Sequence, residues 1–178
     1  VTEQFLVDFP NYKEPRCIQL TQIHALCKSN QWEAAKTALH NFIQAYPEHV
    51  SAELRRLQMD CFSKLLEKNP SYRNEWIALA KSTLQIPSLL SSEEKEHYHL
   101  ELAKNLFLEG QFSEALCTTA EFLTEFSSSS SLEEAELLQV LCYLEDKESH
   151  LLFALHAEKF LEHYPQNMQA PIVRIHLF

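Results

Sequence analysis

From residue 18 to residue 46, apolar side chains recur at helical spacing in two successive runs. Leu20, Ile23, Leu26 and Cys27 share one side of the first run, which predicts a helix over about 18–28. "SNQW" then supplies turn and helix-start residues. In the second run Ala35, Leu39, Phe42, Ile43 and Tyr46 predict a helix over about 32–45. Pro47 stops it, because the residue before a proline is pushed out of the α region. The same pattern predicts helices over about 51–68 and 73–85 around the turn "NPSY", and over about 93–108 and 113–125 around "EGQF". A last pair is predicted over about 132–144 and 151–163. "SSSSS" at 127–131 reads as a loop, with Ser131 as N-cap ahead of Glu133 and Glu134.

The end of each second helix is a recurring phrase: "NFIQAYPEHVSA" from Asn41, "KFLEHYPQNMQA" from Lys159, and "QFLVDFPNYKEP" from Gln4. With its closing proline as a ruler, Pro10, Pro47, Pro87, Ser127 (in place of a proline) and Pro165 stand 37, 40, 40 and 38 residues apart. Periods in this range mark stacked helix pairs. Leu26, Leu66, Leu106 and Leu144 fall in register, as do Trp32, Tyr72 and Phe112, with His150 the misfit. At a small-residue position stand Ala35, Glu75, Ala115 and Phe153. The expected organisation is one all-α repeat domain over 1–178, with units at about 11–47, 48–87, 88–127 and 128–165 and part of another at 166–178. The phrase residues Phe42, Ile43, Phe122, Leu123, Phe160 and Leu161 are expected to be buried equivalently. Both ends, "TEQFLVDFP" and "APIVRIHLF", read as incomplete units of a longer chain. Their apolar stripes are expected to invite self-association.

These residues resemble tetratricopeptide repeats over nearly the whole chain, most clearly in "NQWEAAKTALHNFIQAYP" and next in "EGQFSEALCTTAEFLTEF". The Phe-Leu/Ile-x-x-Tyr-Pro ending also resembles the repeats of bacterial cell-envelope assembly and coordinator proteins. The resemblance implies a right-handed superhelical α-solenoid of antiparallel helix pairs. It implies a protein-interaction scaffold whose concave face, lined by first helices, holds a peptide or partner protein. The family's groove positions fall here on Leu20, His24, Cys27, Asp60, Lys64, Glu67, Leu100, Lys104, Phe107, Leu138, Cys142 and Glu145. A competing reading has Leu100 and Leu138 only packing between neighbouring units. Departures exist: the small residue inside the first helix is here Ile23, Ser63, Ala103 and Leu141. The units also exceed the family's usual length of about 34 residues. The basic clamp for chaperone C-terminal carboxylates is unmatched, since Leu20 and His24 replace its lysine and asparagine. Two other roles stay open: the regulatory or docking arm of a larger enzyme such as a signalling kinase, and a periplasmic envelope-assembly scaffold.

Composition narrows the chemistry. The chain has 178 residues, 46% of them hydrophobic, enough for a continuous core. Its single glycine, Gly110, excludes a phosphate-cradling loop, which needs several for close backbone approach. The net charge is −10, with 15 Lys and Arg scattered among 25 Asp and Glu, against nucleic acid or an anionic membrane surface as partner. No apolar run approaches the roughly 20 residues of a membrane span, so no membrane insertion is expected. Cys17, Cys27, Cys61, Cys117 and Cys142 lack CxxC spacing and read as small buried apolar residues. They point to a reducing, cytoplasmic compartment, with the periplasm as alternative. Glu93, His97 and Glu101 lie four apart on one helix face and read as a solvated stripe before a metal site. His97 and His99 point to different faces. His24 and Cys27 share a face, but no orienting group or oxyanion loop accompanies them. "EEKEH" and "EEAE" read as solvated helix starts. No enzyme activity, metal or cofactor is predicted.

Overall fold

A computed structural model describes residues 15–86, 89–146 and 150–177. Among the described residues the protein is all-helical, with nine α-helices and no strand. They are α1 (Pro15–Lys28), α2 (Trp32–Ala45), α3 (Ala52–Lys68), α4 (Arg73–Leu84), α5 (Ser92–Leu108), α6 (Phe112–Glu125), α7 (Leu132–Glu145), α8 (His150–His163) and α9 (Ala170–Leu177). Short 3₁₀ turns occupy Pro47–His49 and Pro70–Tyr72. The predicted helix ends lie within a few residues of the observed ones. The N-terminal phrase at 4–15 lies outside the described residues except for Pro15, as do Pro10, Pro87 and Phe178.

The links between helices repeat in atomic detail. After α1, Gln31 N–H donates to the Leu26 carbonyl and Asn30 N–H to that of Cys27, each at 3.0 Å. After α5, Gln111 and Gly110 make the same bonds to Leu106 and Phe107, each at 2.9 Å. This double bond pattern closes a helix around one left-handed residue. That residue is Asn30 (φ 58) in one turn and Gly110 (φ 73) in the other. The lone glycine is therefore a helix stop. Three second helices, α2, α6 and α8, end in another shared form. Tyr46, Phe126 and Tyr164 donate their N–H to Phe42, Phe122 and Phe160 at 2.9, 2.9 and 2.8 Å. The ring centroids of these pairs lie 5.1, 5.2 and 5.3 Å apart.

Helix starts are less uniform. Ser51 accepts from Leu54 N–H, and Ser91 forms a reciprocal capping box with Glu94. Ser131 occupies the equivalent place but makes no side-chain cap, contrary to the sequence expectation. Ser51 and Ser91 are extended there (ψ 165 and 163), whereas Ser131 has ψ 11 and lacks the extended backbone typical of an N-cap. Its own N–H is taken by Ser129 Oγ at 2.8 Å.

The buried positions of the second helices show the repeat register directly: Ala35, Leu39 and Phe42; Trp76, Ala80 and Thr83; Ala115, Thr119 and Phe122; Phe153, Ala157 and Phe160. Every set has the spacing four then three. The proline ruler is therefore out by one in the second unit, where Glu75 is exposed and Trp76 holds the inward place. The 3₁₀ turn Pro70–Tyr72 supplies the physical reason, because it lengthens this link by one residue. Ala35, Ala115 and Phe153 stand nine residues after Leu26, Leu106 and Leu144, while Trp76 stands ten after Leu66. Tyr72 accordingly lies in the turn rather than beside Trp32's counterparts.

The chain divides into two compact units, Val1–Leu79 and Ala80–Phe178. In the first, Ile23, Leu39, Phe42, Leu54, Cys61 and Leu65 form the core. Trp76 is buried nearby in sequence terms, and its indole N–H donates to Ser63 Oγ at 3.0 Å. In the second, one cluster gathers Leu100, Phe122, Phe126 and Ala135, and another Val140, Phe153, Ala157, Phe160 and Val173.

Candidate functional site

The twelve groove positions divide by burial. Cys27, Leu100, Leu138 and Cys142 are buried. Leu100 belongs to the cluster of Phe122, Phe126 and Ala135. The other eight reach solvent. In the first unit Leu20 and His24 are half-buried on α1, and Asp60, Lys64 and Glu67 are exposed on α3. Lys64 and Glu67 pair at 2.6 Å, an exposed contact within one helix. In the second unit Lys104 spans two first helices, meeting Glu101 of α5 at 2.9 Å and Glu134 of α7 at 2.7 Å. Burial opposes the Lys104 charge, but the hydrogen bonds it donates to Glu134 and Glu101 outweigh it and raise the ammonium pKa. Phe107 is half-buried with its ring 5.5 Å from Phe112, and Glu145 is exposed at the end of α7. The structure thus brings Lys104, Glu101 and Glu134 into one network.

The cysteines divide too. Cys27, Cys61 and Cys142 are buried as expected, but Cys17 and Cys117 are exposed. On α6 the inward positions are Ala115, Thr118, Thr119 and Phe122, and that helical phase turns Cys117 outward. Burial pushes the Cys61 and Cys142 thiols up to about 12. Burial and then the Asp60 charge also raise Cys27. A raised thiol pKa is the opposite of what activates a nucleophile. Among the described residues no three His, Cys, Asp or Glu side chains are grouped to hold a metal ion. His97 is exposed and His99 buried, on opposite faces of α5.

One polar position is buried that the sequence reading treats only as facing away from His97. His99 falls in helical phase with Leu102 and Leu106, so it is an imidazole on an apolar stripe, and that phase was the available signal. It stands edge-on to Phe126 at 5.9 Å, and its Nδ1 has no hydrogen-bond partner among the described residues. Burial lowers its pKa, with smaller opposing contributions from Glu125 and Glu121 and a lowering one from Lys95. A cavity of about 290 Å³ adjoins it, lined by Lys81, Leu84, Gln85, His99, Leu102, Thr118 and Glu121.

No described helix is long and apolar enough to cross a membrane. No protein-family model matches the chain, and no curated protein matches it.

Proposed function

We propose that this chain is a non-catalytic protein-interaction module of tetratricopeptide-like helix pairs, stacked as a right-handed solenoid, which holds a peptide or partner protein on its first helices. The observation that carries this reading is the recurrence of one helix ending, the tilted ring pairs Phe42–Tyr46, Phe122–Phe126 and Phe160–Tyr164 with their matching cap bonds. Like endings let like units stack, and stacked units present a continuous face to a partner. The recognition residues then reduce to the accessible members of the predicted set: Leu20, His24, Asp60, Lys64 and Glu67 in one unit, Lys104, Phe107 and Glu145 in the other. Apolar Phe107 beside a charged network suits side-chain pockets for a peptide, with the charges selecting its register. Raised thiol pKa values agree with a role that needs no nucleophile.

The test is selection of peptide ligands by display on the folded chain, followed by titration against Phe107→Ala and Leu20→Ala. Truncating a central apolar anchor is expected to weaken a selected peptide about tenfold or more. If selected peptides bind both variants as tightly as the parent, the first-helix face is not the recognition surface.

A further inference from the structure

The buried polar side chains gather in the second unit: Thr83, His99, Asn105, Thr118 and Thr119. Three of them bond their own helix backbone. Asn105 donates to the Glu101 carbonyl at 2.8 Å, Thr118 to Glu114 at 2.9 Å and Thr119 to Ala115 at 3.0 Å. His99 is different: it is 8% exposed, its Nδ1 is unpartnered, and its ring lines the adjoining cavity. Leaving a buried polar atom unpaired costs about 1–3 kcal/mol, so such a position calls for an explanation.

The charges around the cavity sort into committed and uncommitted groups. Lys81 is paired with Glu114, and Lys95 with Glu125. Glu121, on the cavity wall, forms no ion pair among the described residues, and Gln85 also lines the cavity. Leu84 and Leu102 supply an apolar wall. We propose that this cavity takes the side chain of an arginine or lysine from a partner polypeptide, its aliphatic stem against Leu84 and Leu102 and its cationic head at the Glu121 carboxylate. Of the two charges in the lining, Lys81 is neutralised by Glu114 while Glu121 has no ion-pair partner among the described residues, so the local field attracts a cation. Burial lowers the pKa of His99, which disfavours a repelling charge there. The volume admits one long side chain, whose alkyl stem can lie on leucine while its head stays at the rim. The site uses α4, α5 and α6 and does not depend on the first-helix face of the preceding proposal.

Blocked pentapeptides Gly-Ser-X-Ser-Gly, with X as Arg, Lys or Glu, and free spermidine are titrated into ¹⁵N-labelled protein. The response is read at the backbone amides of His99, Thr118 and Glu121. The Arg and Lys peptides are expected to shift these signals saturably, and the Glu peptide not to. Glu121→Gln is exposed on α6 and is expected to weaken binding about three- to fivefold, the range of a partly exposed ion pair. Glu53→Gln removes the same charge from α3 in the other unit and is expected to leave binding unchanged. The proposal is overturned by silence at these amides with every peptide, by an equal response to the Glu peptide, or by equal weakening in the two variants. Saturation by spermidine at lower concentration than by either basic peptide would also overturn it, in favour of a free polyamine.

Discussion

Phe122 is fully enclosed while Leu123 beside it is half-exposed, and Phe42 with Ile43 and Phe160 with Leu161 divide the same way. A helix turns about 100° per residue, so only one of two adjacent apolar residues can face straight into the core. The equivalence expected from the phrase therefore holds position by position, with the aromatic inward in all three. Enclosing a Phe side chain contributes roughly 1.5–3 kcal/mol, and truncating it in a packed core costs about 3–5 kcal/mol. Phe122→Ala is expected to lose that amount in urea unfolding, and Leu123→Ala only about 1–2 kcal/mol. Equal losses would show that the inward assignment is wrong.

His99 and His156 carry the pH dependence at this scale. Burial lowers the pKa of both below the ordinary histidine value of 6.5; Lys159 further lowers His156, which stacks on Tyr143 with ring centroids 4.8 Å apart. The unfolded chain then binds protons that the folded chain refuses, so stability is full above about pH 6.5 and falls as pH drops below it. Melting of the parent is expected to fall more steeply between about pH 7.5 and 5.5 than that of His99→Gln. Parallel curves would remove His99 from the account. Its phase beside Leu102 and Leu106 was legible in the chain. Its missing partner was not, because hydrogen bonding depends on what the neighbouring helices present.

At the scale of the element, helix positions followed from apolar period and turn residues, while the capping chemistry did not. Ser51, Ser91 and Ser131 recur forty residues apart, yet only the first two cap. The loop ahead of Ser131 hydrogen-bonds to itself through Ser129, and this local competition takes the backbone out of the capping conformation. Ser91→Ala is expected to cost about 1 kcal/mol and Ser131→Ala only a few tenths. A comparable melting shift in both would mean that Ser131 caps in solution. The slipped register of α4 belongs to the same scale. Its observed end at Leu84 is close to the predicted one, but a ruler of prolines cannot see an extra residue taken up in a 3₁₀ turn.

For the whole molecule the governing quantity is charge. Lys36, Lys64, Lys81, Lys95 and Lys104 are each paired with glutamate, and the net charge of −10 remains. Exposed pairs of this kind contribute about 0–1 kcal/mol each, so repulsion among the unbalanced carboxylates dominates the salt response. Raising ionic strength from about 0.02 to 0.2 M contracts the screening length from roughly 20 to 7 Å. The melting temperature is expected to rise by about 2–4 °C, as about 1 kcal/mol of relieved repulsion would give. A fall would mean that the ion pairs outweigh the net charge.

The amino-acid sequence by itself determined the all-helical class, the helix limits and the recurring inward aromatics. These depend on contacts within a helix and its neighbouring turn, and the chain carries that information locally. Tertiary structure decided which groove candidates solvent reaches. Leu20 and Leu100 are both leucines in first helices, but Leu100 is closed in by Phe122, Phe126 and Ala135 while Leu20 remains half-buried. It also decided that Lys104 joins α5 to α7 and that His99 borders a cavity, because both depend on side chains brought from distant parts of the chain. Helical phase states which side a residue occupies; only the packed neighbour decides whether that side is covered.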